Sequence, residues 1–179
     1  ISRIIKIGGD MGITSMGGAF LNMTKLVGEI PEGLFDECTE VTSFSETFRG
    51  CKGLTGSIPA GLFDNCPEVT TFANTFEECI GLTGSIPVEL FKNNIKVTDF
   101  RSTFANCKNL REVTMPSNMT DIGDYCFYHC YSIAHMQIPD GITTLKEYLF
   151  YICNDLTVIC VPNSVKTIEE CAFNGCYYL

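Results

Sequence analysis

Four side chains within one short stretch, Cys126, His129, Cys130 and His135, have the types that could ligate a transition metal or pair a thiolate nucleophile with a base. Thiolate sulfur and neutral imidazole nitrogen are preferred zinc ligands, and a Cys–His couple is one form of activated nucleophile. The chain holds 11 Cys and 2 His, so any imidazole chemistry must be assembled here. The spacing argues against it. No C-x-x-C pair occurs for a zinc or thiol-redox site, and no third group stands in a recognisable place to orient an imidazole. G-x-S-x-G, H-E-x-x-H and phosphate-binding loops are absent. We therefore expect no catalytic residue, no metal, no cofactor and no enzyme.

The cysteines are positional. Cys51, Cys79, Cys107, Cys130, Cys153 and Cys176 each follow a Phe by three residues, and those Phe residues recur in register. Ile30-Pro31, Ile58-Pro59 and Ile86-Pro87 repeat every 28 residues; Met115-Pro116, Ile138-Pro139 and Val161-Pro162 repeat every 23. Periods of this size, held by apolar residues at fixed offsets, are the signature of a solenoid, in which each unit buries its apolar side only by stacking on its neighbours. The longer unit reads L-T-G-x-I-P-x-x-L-F followed by V-T-x-F-x-x-T-F-x-x-C. The shorter one lacks the x-x-L-F insertion, so both are read as one coil, with an extra loop on the longer.

The expected architecture is an α/β or mainly β repeat: a right-handed solenoid of about six coils, with short parallel strands ending near each proline. Irregular or short helical segments should return on the other side. Domain organisation is read as one solenoid over 1–179, with a partial repeat at 1–25, three 28-residue repeats at 26–109 and three 23-residue repeats at 110–179. Phe20, Phe48, Phe76, Phe104, Phe127, Phe150 and Phe173 should form an aromatic spine in the interior. The ladder cysteines should be buried thiols, acting as small apolar groups with a weak donor. Cys38 and Cys66 form a second short ladder that ends at Asn94, while Cys126, Cys160 and Cys171 fall off the ladders and are expected at the surface. The cysteine total is odd, so at least one thiol is free or pairs between chains. The incomplete units at both ends read as those of a piece of a longer protein, or of ends that a partner covers.

Composition narrows the partners. A net charge of −9 argues against nucleic acid and against an anionic membrane surface, because phosphate binding needs a basic stripe. No signal peptide or membrane-inserting run is read in the sequence. The strand slots expected to face outward, Glu112, Thr114, His135, Gln137, Val158 and Cys160, hold no paired carboxylates and no stack of cations. All 7 tyrosines fall in the final third: Tyr125, Tyr128, Tyr131, Tyr148, Tyr151, Tyr177 and Tyr178. Tyr125 and Tyr148 share one repeat slot, Tyr128 and Tyr151 a second, Tyr131 and Tyr177 a third. These slots flank the spine Phe, so the rings should lie at the surface. Tyrosine offers rigid contact area with a polar tip, which makes this stripe the candidate partner-binding site. Shielding of the Phe spine is the alternative role.

The short unit resembles the leucine-rich repeat of BspA-like bacterial surface proteins, approximately L-x-x-I-x-I-P-x-x-V-x-x-I-x-x-x-A-F-x-x-C. Leu156 to Cys176, LTVICVPNSVKTIEECAFNGC, matches it almost throughout, with departures elsewhere at Met115, Met119 and Leu149. The longer unit is similar to a sister repeat of the same kinds of protein. This resemblance implies a secreted or cell-surface bacterial protein, in some relatives concerned with adhesion, with no shared binding motif to carry over. The resulting expectation is a non-catalytic module that binds a protein or glycan on a host or neighbouring cell. Self-association end to end is a further partner it names, and a passive scaffold or spacer is the competing reading.

Overall fold

A computed structural model describes Ile7 and residues 12–179. Its regular structure is β: β1 Thr83–Ile86, β2 Asn109–Thr114, β3 His135–Gln137, β4 Thr144–Leu145, β5 Val158–Cys160 and β6 Thr167–Ile168. β1, β2, β3 and β5 form a parallel sheet in that order, one strand per repeat, and β4 pairs in parallel with β6 in a second. In the two earlier 28-residue repeats the sheet thins to single parallel bridges, Gly28 with Leu54 and Gly56 with Leu82. β1, β2, β3 and β5 each stop at or one residue short of the apolar residue that precedes a proline, where the ladder loses its donor.

The two periods meet less simply than the Pro spacing implies. Ile86 pairs with Val113, not with Met115, so the Ile86-Pro87 and Met115-Pro116 phrases are out of register across this joint. A bulge between Gly84 and Ser85 absorbs the change in period. Beyond it the register holds as Glu112–His135–Val158, Val113–Met136–Ile159 and Thr114–Gln137–Cys160.

The return side holds no helix among the described residues; of the irregular or short helical segments expected there, it takes the irregular form, as consecutive turns. The reason lies in the dihedrals. Two residues before and two after each spine Phe, φ is positive: Gly18 and Asn22, Glu46 and Gly50, Asn74 and Glu78, Ser102 and Asn106, Tyr125 and His129, Tyr148 and Ile152, Cys171 and Gly175. Alternation with left-handed residues breaks a helix but turns every second N–H toward the next repeat. Thus Tyr125, Phe127 and His129 donate to the carbonyls of Glu147, Leu149 and Tyr151 at 3.0, 3.0 and 2.8 Å. The intervening N–H groups close local turns, as Tyr128 does onto Tyr125 at 3.0 Å. The backbone is satisfied both along and across the coil. Among the described residues no helix is long and apolar enough to cross a membrane.

One apolar core runs through the stack. The spine rings lie 5.3 to 5.8 Å apart at interplanar angles of 3 to 11°. The 28-residue half adds two more ladders, Phe35–Phe63–Phe91 and Phe44–Phe72–Phe100, which interlock at 4.6 to 5.1 Å in tilted pairs. The latter ends at Gly123, where a Cβ would sit 2.7 Å from the backbone carbon of Phe100.

The ladder thiols have a specific task. Each S–H donates to the carbonyl of the spine Phe one repeat earlier, from Cys51 onto Phe20 at 3.0 Å through Cys176 onto Phe150 at 3.0 Å. Asn94 does the equivalent on the second ladder, donating to Phe63 at 3.2 Å where Cys66 donates to Phe35 at 3.6 Å. All 11 cysteines are thiols. Burial pushes the Cys51 thiol up to about 11, and Cys66, with Cys38 and Asp36 nearby, up to about 12. Cys126 corrects the surface expectation: it is buried. It occupies the slot of Thr103, directly before the spine Phe, where Thr47, Thr75 and Thr103 send hydroxyls to core carbonyls. Cys160 is exposed and Cys171 partly so, whereas Cys176 is only half covered at the end of its ladder.

Candidate interaction surface

The left-handed turn slots decide where the tyrosines go. A residue two places before the spine Phe leaves the core face, and in two successive short repeats that residue is Tyr125 and Tyr148. Tyr128 and Tyr151, one place after the spine, take the neighbouring outward slot. Stacking the repeats superposes both pairs. Tyr125 lies on Tyr148 at 4.9 Å and 5°, and Tyr128 on Tyr151 at 5.2 Å and 6°. Across the rows Tyr125 meets Tyr128 at 5.7 Å and 60°, and Tyr148 meets Tyr151 at 5.3 Å and 62°. The result is a two-by-two lattice of phenols on the turn side, bounded by Ser102 and Ala105 above and by Cys171 and Asn174 below.

His129 braces the lattice. Its ring stacks on Tyr128 at 4.0 Å and reaches Tyr151 at 5.8 Å and Tyr131 at 5.5 Å. Lys108 Nζ sits 5.2 Å from the Tyr131 ring centre. Burial, then the Lys108 charge, holds the imidazole below its usual range. It therefore stays neutral at physiological pH, and protonation as pH falls works against this packing. Tyr131 joins the lattice only through His129. Tyr177 shares a slot with Tyr131 but lies two repeats away. Tyr177 and Tyr178 are 79% and 70% exposed, and neither stacks on another ring among the described residues. The candidate residues thus separate into a group of five and an isolated pair.

The metal-like types are dispersed. Cys126 and Cys130 are buried in the core, His129 is in the phenol lattice, and His135 is exposed on β3. The outward strand slots, recognised in the sequence singly, form a second surface. Glu112, His135 and Val158 make one row across the sheet, and Thr114, Gln137 and Cys160 the next. Over Val113 and Met136 they line an open depression of about 290 Å³. Ser85 Oγ donates to the Glu112 carboxylate at 3.2 Å. The sequence signal for this groove is the repeat register itself.

With the geometry in place, comparisons identify the kind of repeat. Residues 73–179 match the model of the BspA type leucine rich repeat region, in six copies. Two solved structures are similar across nearly the whole chain. A leucine rich repeat protein of T. pallidum is 23% identical, with a TM-score of 0.68, over 92% of this chain and 70% of that one. A leucine-rich repeat protein of Bacteroides ovatus is 28% identical, with a TM-score of 0.69, over 93% of this chain and 40% of that one. The chain therefore spans well under half of the B. ovatus protein's length. No curated protein matches the sequence.

Proposed function

The chain belongs to the BspA-type leucine-rich repeat family, and from that premise we propose that it is a non-catalytic binding module of a bacterial cell-surface protein. Its partner is a macromolecule on a host or neighbouring cell, and its contact surface is the phenol lattice Tyr125, Tyr128, Tyr148 and Tyr151 with Tyr131. One observation carries this reading. Stacked repeats make a wide, rigid face without a deep cleft, and on it four tyrosines are pre-ordered by each other. Aromatic groups that lose little freedom on binding are the anchors that dominate protein interfaces. The rings cost stability where they stand, since Tyr125 and Tyr148 adopt φ of 58° and 54°.

The test is binding of the purified chain to arrays of extracellular-matrix proteins and glycans, repeated with a Tyr128→Ser, Tyr151→Ser double variant. Loss of binding with the fold retained and the melting temperature only modestly lowered supports the lattice as the site. A lowered melting temperature with binding intact makes the rings structural. A spacer role fits the 28-residue half, whose aromatic residues are interior.

A further inference from the structure

The lattice has a charged flank. Asp124, Glu147 and Glu170 directly precede Tyr125, Tyr148 and Cys171, in the slot that Arg101 occupies one repeat earlier. The turn ladder stacks them: Ser102 N–H donates to the Asp124 carbonyl at 2.9 Å, Tyr125 to Glu147 at 3.0 Å and Tyr148 to Glu170 at 3.1 Å. Successive carboxylates are therefore one repeat apart, roughly 5 Å at the backbone. Among the described residues none of the three is in an ion pair. Lys146 turns to Asp121 at 4.0 Å and Lys166 donates to the Asn163 carbonyl at 2.6 Å; Arg101 is held by Asp99 at 3.0 Å and feels the Asp124 charge at the end of the row without pairing with it.

The 28-residue half handles the same problem differently. There Glu77 pairs with Arg49 at 2.8 Å, Glu78 with Lys52 at 2.9 Å and Glu68 with Lys96 at 2.6 Å, each across one repeat. Like charges directly opposite on neighbouring strands repel, and a ring at positive φ is strained. Both costs fall together where stacked tyrosine rings leave the core. Rules broken together without local compensation mark functional surfaces.

We propose that this face receives a lysine- or arginine-rich segment of a partner protein, an inference that rests on the lattice being the binding surface. The cationic heads neutralise the row Asp124, Glu147 and Glu170. The methylene stems lie along the phenol edges, and the hydroxyl oxygens of Tyr125 and Tyr148 accept hydrogen bonds from the heads. Charge complementarity selects this occupant: the net charge of −9 draws a cation in, and the unpaired row fixes where it stops. Burial raises the Tyr125 phenol, and the Glu147 and Asp124 charges add to it.

The probe is a fluorescent deca-lysine peptide, with a deca-arginine peptide beside it and deca-acetyl-lysine as the neutral control, titrated onto the intact chain in a series of NaCl concentrations. Expected are binding of both cationic peptides that weakens with salt, none of the neutral one, and at least a tenfold loss in Glu147→Lys, Glu170→Lys. A charge-matched control, Glu37→Lys, Glu40→Lys, lies on the far repeats and should lose less than twofold. Equal loss in both variants overturns the proposal, because net charge then suffices; so does absence of binding by the unmodified chain. If a partner from the arrays is lost in Tyr128→Ser, Tyr151→Ser but retained in Glu147→Lys, Glu170→Lys, the cationic-segment inference fails while the lattice reading stands.

Discussion

Beyond the spine they share, the 28-residue and 23-residue halves place their additional aromatic ladders on opposite sides of the same coil. In the longer repeats three Phe ladders fill the interior. Their turn slots hold Glu46, Gly50, Asn74 and Glu78, and their acids Glu68, Glu77 and Glu78 meet bases across one repeat. The shorter repeats have lost the loop that carried Phe35, Phe63 and Phe91, and Gly123 closes the Phe44–Phe72–Phe100 ladder. One spine remains inside, while Tyr ladders line the outside beside an unpaired acidic row. The same stacking rule thus stabilises one half and equips the other. A ladder pointing inward removes area from water; one pointing outward builds a repeating surface.

The largest effect expected from this contrast is Phe63→Ala. Phe63 is buried among five other rings and is peculiar to the long repeats, so truncation should cost about 3–5 kcal/mol in chemical denaturation. Tyr151→Ala on the outer lattice should cost about 0.5–1.5 kcal/mol, the worth of an aromatic pair. Equal costs would break the inside–outside distinction.

Next comes the thiol ladder, which both halves share. Cys79→Ala removes one of two donors from the Phe48 carbonyl, which keeps the Cys51 N–H at 3.0 Å, and should cost about 0.5–1.5 kcal/mol; Cys130→Ala should cost the same at Phe104, which keeps the Cys107 N–H at 3.0 Å. A raised folded-state pKa gives stability that is whole below the ordinary thiol range and lost as pH climbs above it. Unfolding free energy should therefore hold to about pH 8 and fall between roughly 9 and 12, the window set by Cys51 and Cys66. The fall should be shallower in Cys51→Ala, Cys66→Ala. A profile identical to the parent chain would remove the thiols as its cause.

A smaller effect separates the left-handed slots. Ser102→Gly relieves a φ of 53° and should stabilise by about 1 kcal/mol. Tyr125→Gly gains the same backbone relief but forfeits ring stacking, and its melting temperature should stay close to the parent's. The smallest effect is electrostatic. Glu147→Gln should raise stability by a few tenths of a kcal/mol and Arg49→Ala lower it by up to about 1, both differences shrinking in salt.

Periodic features were legible in advance: the strand rows, the spine and the buried thiol ladder each follow from one residue type recurring at one offset. Cys126 was misplaced because its ladder mates, Thr103, Leu149 and Ala172, share small-to-medium size and burial rather than identity. The tyrosines were recognised as a stripe, but Tyr177 was grouped with Tyr131 from slot identity alone; contact also needs neighbouring repeats. The acidic row went unread, since each carboxylate looks like an ordinary solvated charge until its neighbours are known.

What the amino-acid order determined by itself is the repeat, because units that cannot bury their apolar side alone have one cooperative way to do so. What only the tertiary structure decided is the joint and the turn side. Whether Ile86 meets Val113 or Met115 depends on a bulge, which a sequence period cannot encode. Which N–H groups turn across the coil depends on residues forced to positive φ by that hydrogen-bond ladder, among them tyrosine and isoleucine, whose own preferences oppose it. Summed contacts from two neighbouring repeats outweigh a local preference of about 1–2 kcal/mol per residue, and no single repeat contains those contacts.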